Sequence, residues 1–187
     1  MIIALSEILK RDLNGKVIVF ETDTVYGIGC LYHDLESVRR IYDIKKREAR
    51  KPMALLCADI GQIKPLVKDF SIGEELARNY WPGALTLIFP KSPLIDDQIT
   101  GNQPTVGIRI PASLTAQTLL NKFGPMVVTS LNLSNEPSIL KFSDVLAYEG
   151  IVDYIVIGKD LDGVASTVYD PVSKKTLRQG TIHIEEV

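Results

Sequence analysis

Lys16-Val17-Ile18-Val19-Phe20-Glu21-Thr22-Asp23-Thr24-Val25-Tyr26-Gly27 is the stretch whose reading decides the fold. Its first part is a short, continuous apolar run, the pattern of a strand buried on both faces. It passes into a polar turn, Glu21 to Gly27. Downstream, Asp34 stands where a helix cap belongs, and Leu35, Val38, Ile41 and Tyr42 recur on one side of the helix it would start. That helix runs out into Lys45-Lys46-Arg47, cations that suit the negative end of its dipole. A buried strand followed by an amphipathic helix is the unit of an α/β fold.

The same alternation extends in both directions. Ile2, Leu5, Ile8 and Leu9 predict an opening helix. Residues 53–57 predict a strand, and 60–67 and 74–80 predict helices, the second stopped near Pro82-Gly83. Two strand patterns, 85–89 and 106–110, have no helix between them and so predict some antiparallel pairing. Ser113 caps a helix carrying Ala116, Leu119, Leu120 and Phe123, which Gly124-Pro125 ends. Strands are expected at 126–128, 154–157, 166–169 and 176–178, with a short helix at 143–148. The fold class is therefore α/β, a mixed parallel and antiparallel sheet with flanking helices. Ligands of open α/β sheets sit at strand carboxyl ends, where both polar turns, Glu21–Gly27 and Thr129–Ser134, are expected.

The chain has 187 residues and a formal net charge of −2. One domain over residues 1–187 is the simplest expectation, since no repeat or compositional break divides it. A slightly acidic balance gives no global footprint for nucleic acid, so any RNA contact would use a local patch. Cys30 and Cys57 form no close pair, and a reduced, cytoplasmic setting is expected. No long apolar run predicts a membrane span. His33 and His183 lie far apart, so no protein-held metal is expected.

The strongest chemical signal is Lys45-Lys46-Arg47-Glu48-Ala49-Arg50-Lys51-Pro52. Charge runs are most often a solvated helix end. The sharper reading is a clamp for phosphate or carboxylate, with Arg giving paired hydrogen bonds and Lys a compact charge. Thr22, Thr24 and Tyr26 are read either as a simple turn or as a rim of hydroxyls for a polar small molecule. Ser130, Asn132 and Ser134 alternate, which aligns them on one side if that segment is extended. Arg109 within Val-Gly-Ile-Arg-Ile needs an anionic partner, because an unpaired buried charge is costly. Ser166 and Arg178 are weaker signals of the same kind. No Gly-x-x-x-x-Gly-Lys phosphate loop, nucleophile elbow or Cys-His arrangement occurs. The residues favour chemistry by positioning and charge neutralisation on an anionic ligand.

At these residues the chain resembles the YrdC-like family of threonylcarbamoyl-AMP synthases, in its short form. Residues 21–29, 45–53, 81–86, 105–109, 130–134, 166–168 and 177–180 match seven of its blocks in order. Glu48 stands where the family usually has Pro, Leu131 where it has Ala, and Asn135 where it has Gly. The short form has no extra C-terminal domain. The resemblance implies a YrdC-like twisted mixed sheet. It also implies a reaction of L-threonine, bicarbonate and ATP, with Mg2+ carried by the nucleotide, to give threonylcarbamoyl-AMP and pyrophosphate. A tRNA-modifying transferase would use the product to make threonylcarbamoyladenosine. It implies catalytic roles for Lys45 and Arg47, and substrate contacts from Thr22, Thr24, Tyr26, Arg109, Ser130, Asn132 and Ser166. Nucleotide contacts are expected from Lys45, Arg47, Arg50, Thr105, Ser130, Asn132, Ser134 and Arg178. The alternatives are an RNA-binding module without turnover and a paralogue that binds a nucleotide for another carbamoylation.

Overall fold

A computed structural model describes residues 1–184. Ten strands form one sheet among the described residues. They are β1 (Ile2–Ile3), β2 (Ile18–Glu21), β3 (Tyr26–Leu31), β4 (Ala54–Leu56), β5 (Leu85–Pro90), β6 (Thr105–Arg109), β7 (Met126–Ser130), β8 (Tyr154–Val156), β9 (Thr167–Asp170) and β10 (Lys175–Arg178). The helices are α1 (Leu5–Ile8), α2 (Leu35–Lys45), α3 (Ile60–Ile63), α4 (Glu74–Tyr80), α5 (Asp97–Thr100), α6 (Leu114–Phe123) and α7 (Phe142–Val145). Across the sheet the order is β1-β8-β2-β3-β7-β4-β6-β5-β9-β10. Parallel pairs (β1/β8, β2/β8, β4/β6, β5/β9) alternate irregularly with antiparallel ones (β2/β3, β3/β7, β4/β7, β5/β6, β9/β10). The mixed sheet expected from the sequence is what forms.

Each face of the sheet carries its own apolar layer. Val38, Ile41 and Tyr42 of α2 pack with Val19, Ile28, Leu55 and Val127 on one side. Ala116, Leu119 and Leu120 of α6 pack with Ile18, Phe20, Met126 and Val128 on the other. The caps read from the sequence hold both helices in place. Asp34 Oδ1 accepts from Ser37 N at 3.1 Å, and Ser113 Oγ from Ala116 N at 3.2 Å.

Several elements depart from the sequence expectation. Tyr26 and Gly27, read as the end of a polar turn, instead open the fully buried strand β3, which no strand expectation covered. Glycine weakens a strand signal, yet Gly27 and Gly29 are required here. A Cβ at Gly29 would lie 2.6 Å from Val127 O and 2.8 Å from Val128 Cγ2. The opening helix splits into β1 and the short α1, because Ile2 and Ile3 find a parallel partner in β8. The helix expected over 60–67 breaks into α3 and a 3-10 turn, Lys64–Leu66, at Pro65. α5 had no apolar pattern to announce it.

Replacing Gly29 with Ala should lower unfolding stability by about 1–3 kcal/mol, since the added methyl meets backbone that cannot yield. Denaturant unfolding of the variant beside the wild-type protein checks it, and an unchanged midpoint would overturn it.

Candidate active site

A cavity of about 280 Å³ opens on the sheet face shared with α6. Its floor is made by strand residues: Ala54 and Leu56 of β4, Gly107 of β6, Ile88 of β5 and Val128 of β7. Ala54 and Gly107 are small, which leaves the hollow between their larger neighbours. The site therefore lies across the sheet face rather than at strand carboxyl ends. The reason is topological. β4 runs with β6 but against β7, and β5 runs against β6, so these strands have no common carboxyl end.

Three guanidinium groups line this cavity, those of Arg47, Arg109 and Arg178. Arg109 is 5% exposed. Its Nε donates to Gly83 O at 2.9 Å, Nη1 to Thr24 Oγ1 at 3.0 Å and Nη2 to Asp23 Oδ1 at 2.5 Å. Arg47 follows Lys46, whose left-handed backbone (φ +48°) ends α2 and turns the chain. Arg47 Nη2 donates to Pro52 O at 2.9 Å. Arg178 donates from Nε to Ser166 O at 3.0 Å and from Nη2 to Ser166 Oγ at 3.1 Å. Burial lowers the proton affinity of Arg47 and Arg109, the latter despite Asp23. Burial, and then the charge of Arg47, does the same to Arg178. Like charges set around one hollow favour an anion inside it.

Lys45 behaves differently. It is 1% exposed and does not line the cavity. Its ammonium donates to Ser130 O at 2.5 Å, Asn132 O at 2.6 Å and Asn132 Oδ1 at 3.1 Å. An ammonium has three N–H groups, and all are taken by the chain. The Lys45 ammonium thereby straps the end of α2 to the end of β7. Asn132 is the hub of that strap and not a cavity residue. Its Oδ1 also accepts from Ser130 Oγ at 2.6 Å, and its Nδ2 donates to Leu133 O and Glu136 O at 2.9 and 2.6 Å. The extended alternation read for Ser130, Asn132 and Ser134 fails after Ser130, where the strand ends and the chain bends. Ser134 instead donates its backbone N–H to Lys45 O at 3.0 Å.

Of the remaining expected residues, Thr22, Thr24, Tyr26, Ser130 and Ser166 line the cavity. Four of their hydroxyl protons are spent inside the fold. Ser130 Oγ donates to Asn132 Oδ1 at 2.6 Å and Thr24 Oγ1 to Thr22 Oγ1 at 3.0 Å. Thr22 Oγ1 donates to Val25 O at 2.7 Å, and Tyr26 Oη donates to Lys159 O at 2.7 Å. Burial, and then Glu21 and Asp160, push the Tyr26 phenol further from ionising. Arg50 and Thr105 lie outside the lining. Arg50 is exposed and sits 3.7 Å from Glu48, while Thr105 pairs with Pro90 at the far end of β6 from Arg109. The Glu48 carboxylate faces Arg50 and Lys51, at 3.7 and 3.9 Å, on the surface. Asn135 adopts φ +74°, a conformation that Gly or Asn accepts most easily.

Thr86 was missed by the sequence reading. It is buried, lines the cavity, and shares a hydrogen bond of 2.8 Å with Ser166 Oγ. The available signal was a lone hydroxyl inside the apolar run Leu-Thr-Leu-Ile-Phe. The floor residues carry no polar signal and become a site only through strand pairing. Among the described residues, no group of three or more His, Cys, Asp or Glu side chains could hold a metal.

Residues 12–180 match the Sua5/YciO/YrdC family, described as telomere recombination. A threonylcarbamoyl-AMP synthase of Pyrococcus abyssi is 36% identical over 182 residues, covering 92% of this chain and 53% of that protein. The crystal structure of P. abyssi Sua5 complexed with L-threonine superposes with a TM-score of 0.86 at 33% identity, over 91% of this chain and 54% of that one. This chain thus spans about half the length of either. The crystal structure of E. coli YciO superposes with a TM-score of 0.85 at 26% identity, over 95% of this chain and 89% of that one.

Lys45 generates a pH prediction. Burial, and secondarily Arg47, push its ammonium down from 10.5 to about 8. Its charge is present below that value and lost as pH rises through it. Affinity for inorganic triphosphate should therefore weaken from about pH 7 to pH 9, and Lys45→Met should flatten that dependence. The linkage to folding has the opposite sign. Between about 8 and 10.5 the unfolded chain holds more protons, so this group's penalty on stability is relieved as pH rises. Calorimetric titrations across that range check the affinity.

Proposed function

Because this chain belongs to the Sua5/YciO/YrdC family, we propose that it converts L-threonine, bicarbonate and ATP into threonylcarbamoyl-AMP and pyrophosphate. The observation that carries this reading is the convergence of Arg47, Arg109 and Arg178 on one cavity floored by Ala54 and Gly107. The name of the P. abyssi relative and the threonine in the P. abyssi Sua5 complex support the choice of substrates.

In this reading the threonine amine takes up bicarbonate, losing water, to form a carbamate. A carbamate oxygen attacks the α-phosphorus of ATP, and pyrophosphate leaves. Negative charge spreads over phosphate oxygens in the transition state, so neutralisation is the main demand on the protein. Arg47 and Arg178 meet the phosphates. Arg109, already fixed in direction, takes the threonine carboxylate. Ser166, oriented by Thr86, offers a hydroxyl beside them, while Thr24 and Ser130, whose protons go to Thr22 and Asn132, shape the rim. Lys45 acts from beneath, holding the β7 end in place and adding positive potential. Mg2+ would supply further charge neutralisation from the phosphates it rides on. The Asp23 carboxylate is turned to Arg109 and is not among the groups proposed to hold it. The product, a reactive mixed anhydride, would pass to a transferase that modifies a tRNA adenosine in the cytoplasm.

Arg47→Ala and Arg178→Ala should each lower threonine-dependent pyrophosphate release at least about tenfold, roughly 1.4 kcal/mol in barrier. Incubation with threonine, bicarbonate and α-labelled ATP should yield a labelled AMP conjugate only when threonine is present. Nucleotide binding without that conjugate would instead favour a paralogue with a different acceptor. Unchanged rates in both variants would remove the guanidinium groups from the mechanism.

A further inference from the structure

We propose that Asp23 is a positioning residue that sets the pose of Arg109, and through it the affinity for the carboxylate of the amino-acid substrate. The identity of that substrate rests on the function proposed above. Asp23 does not line the cavity, whereas Thr22, Thr24 and Arg109 do. It stands behind the guanidinium, with Oδ1 2.5 Å from Arg109 Nη2.

Three of the five N–H groups of Arg109 are spent on Gly83 O, Thr24 Oγ1 and Asp23 Oδ1. One N–H remains on each terminal nitrogen. These two N–H groups are left to donate to carboxylate oxygens. The three anchors come from separate places, the 81–84 turn and two adjacent residues of the 22–25 turn, so the guanidinium plane is defined.

The carboxylate is itself delivered by a rigid turn. Thr22 Oγ1 accepts from Thr24 N at 3.1 Å and from Val25 N at 3.3 Å. Its own proton goes to Val25 O. The Thr24 hydroxyl, accepting from Arg109, lies 3.0 Å from Thr22 Oγ1. Hydrogen bonds therefore run from Arg109 through Thr24 and Thr22 to Val25 O. Gly163 closes the turn from outside, since a Cβ there would lie 2.3 Å from Thr24 O. Asp23 thus has fixed backbone on both sides.

Asp23 also offsets charge. Arg178 disfavours the charged form of Arg109, and Asp23 favours it. Without the carboxylate, the guanidinium would turn toward whatever anion the cavity offers, phosphate included. Asp23 keeps it aimed at one place.

The test is steady-state kinetics on Asp23→Asn, Asp23→Glu and Asp23→Ala, with thermal melts confirming the folded fraction. Asp23→Asn should raise KM for L-threonine about tenfold, the scale of one charge-assisted hydrogen bond. The kcat and the KM for ATP should stay within about twofold. Asp23→Glu should recover part of the threonine affinity lost in Asp23→Ala. An unchanged threonine KM in Asp23→Asn, or a rise in KM for ATP instead, would overturn the assignment. If the wild-type protein makes no adenylate from threonine, the proposed function fails. Calorimetric titration of L-threonine alone then decides the Asp23 assignment. Binding by wild type that weakens in Asp23→Asn supports it; equal binding, or none, overturns it.

Discussion

The buried ammonium of Lys45 is the tie on which the site depends. It leaves water without a carboxylate to meet it and is satisfied by three oxygens from Ser130 and Asn132. Losing those acceptors would leave an uncompensated buried charge, a cost of several kcal/mol. The contact therefore forces the end of α2 against the end of β7. Once that joint is made, the left-handed turn at Lys46 sends Arg47 around to the other side. One residue of a basic run becomes structure and its neighbour but one becomes a cavity-facing charge.

The opposite wall works on a different principle. Arg109 enters from the middle of the sheet and is held by a turn that folds over the sheet face. Its charge is balanced by Asp23, its orientation by Gly83 and Thr24. Arg178 comes from the edge hairpin and is tied to Ser166. Three cations of like sign are thus tethered by backbone and hydroxyl groups, with one carboxylate among them. That excess of positive charge is tolerable because each guanidinium keeps hydrogen bonds. It is useful because an incoming polyanion relieves the repulsion. The hollow exists because Ala54 and Gly107 sit where larger side chains would fill it.

Much of the architecture was legible beforehand. The α2 and α6 helices announced themselves through caps and apolar spacing, and β5 and β6 through adjacent strand patterns without a helix between. β3 was hidden because its glycines look like a turn until Val128 is placed over them. The floor residues were hidden because apolar side chains of strands carry no chemical signature. Thr86 was visible as a lone hydroxyl in an apolar run and was passed over. Lys45 and Asn132 stand out in the sequence, and in the fold their side chains hold each other beside the cavity, a pairing that no local pattern announces.

The order of residues was enough to establish an α/β chain with a family resemblance, an anion-seeking basic run and a buried Arg109 in want of a partner. These follow from local rules: periodicity, capping, and the cost of an unpaired charge. Which cations face the cavity and which are held within the fold could not follow from local rules. Lys45 and Arg47 are two positions apart in the chain and end on different sides of a turn. Their partners, Ser130 and Asn132 for one and the cavity for the other, lie across sheet pairings between distant segments. Folding assigned the roles, because a side chain's function is set by what the backbone brings within hydrogen-bond reach.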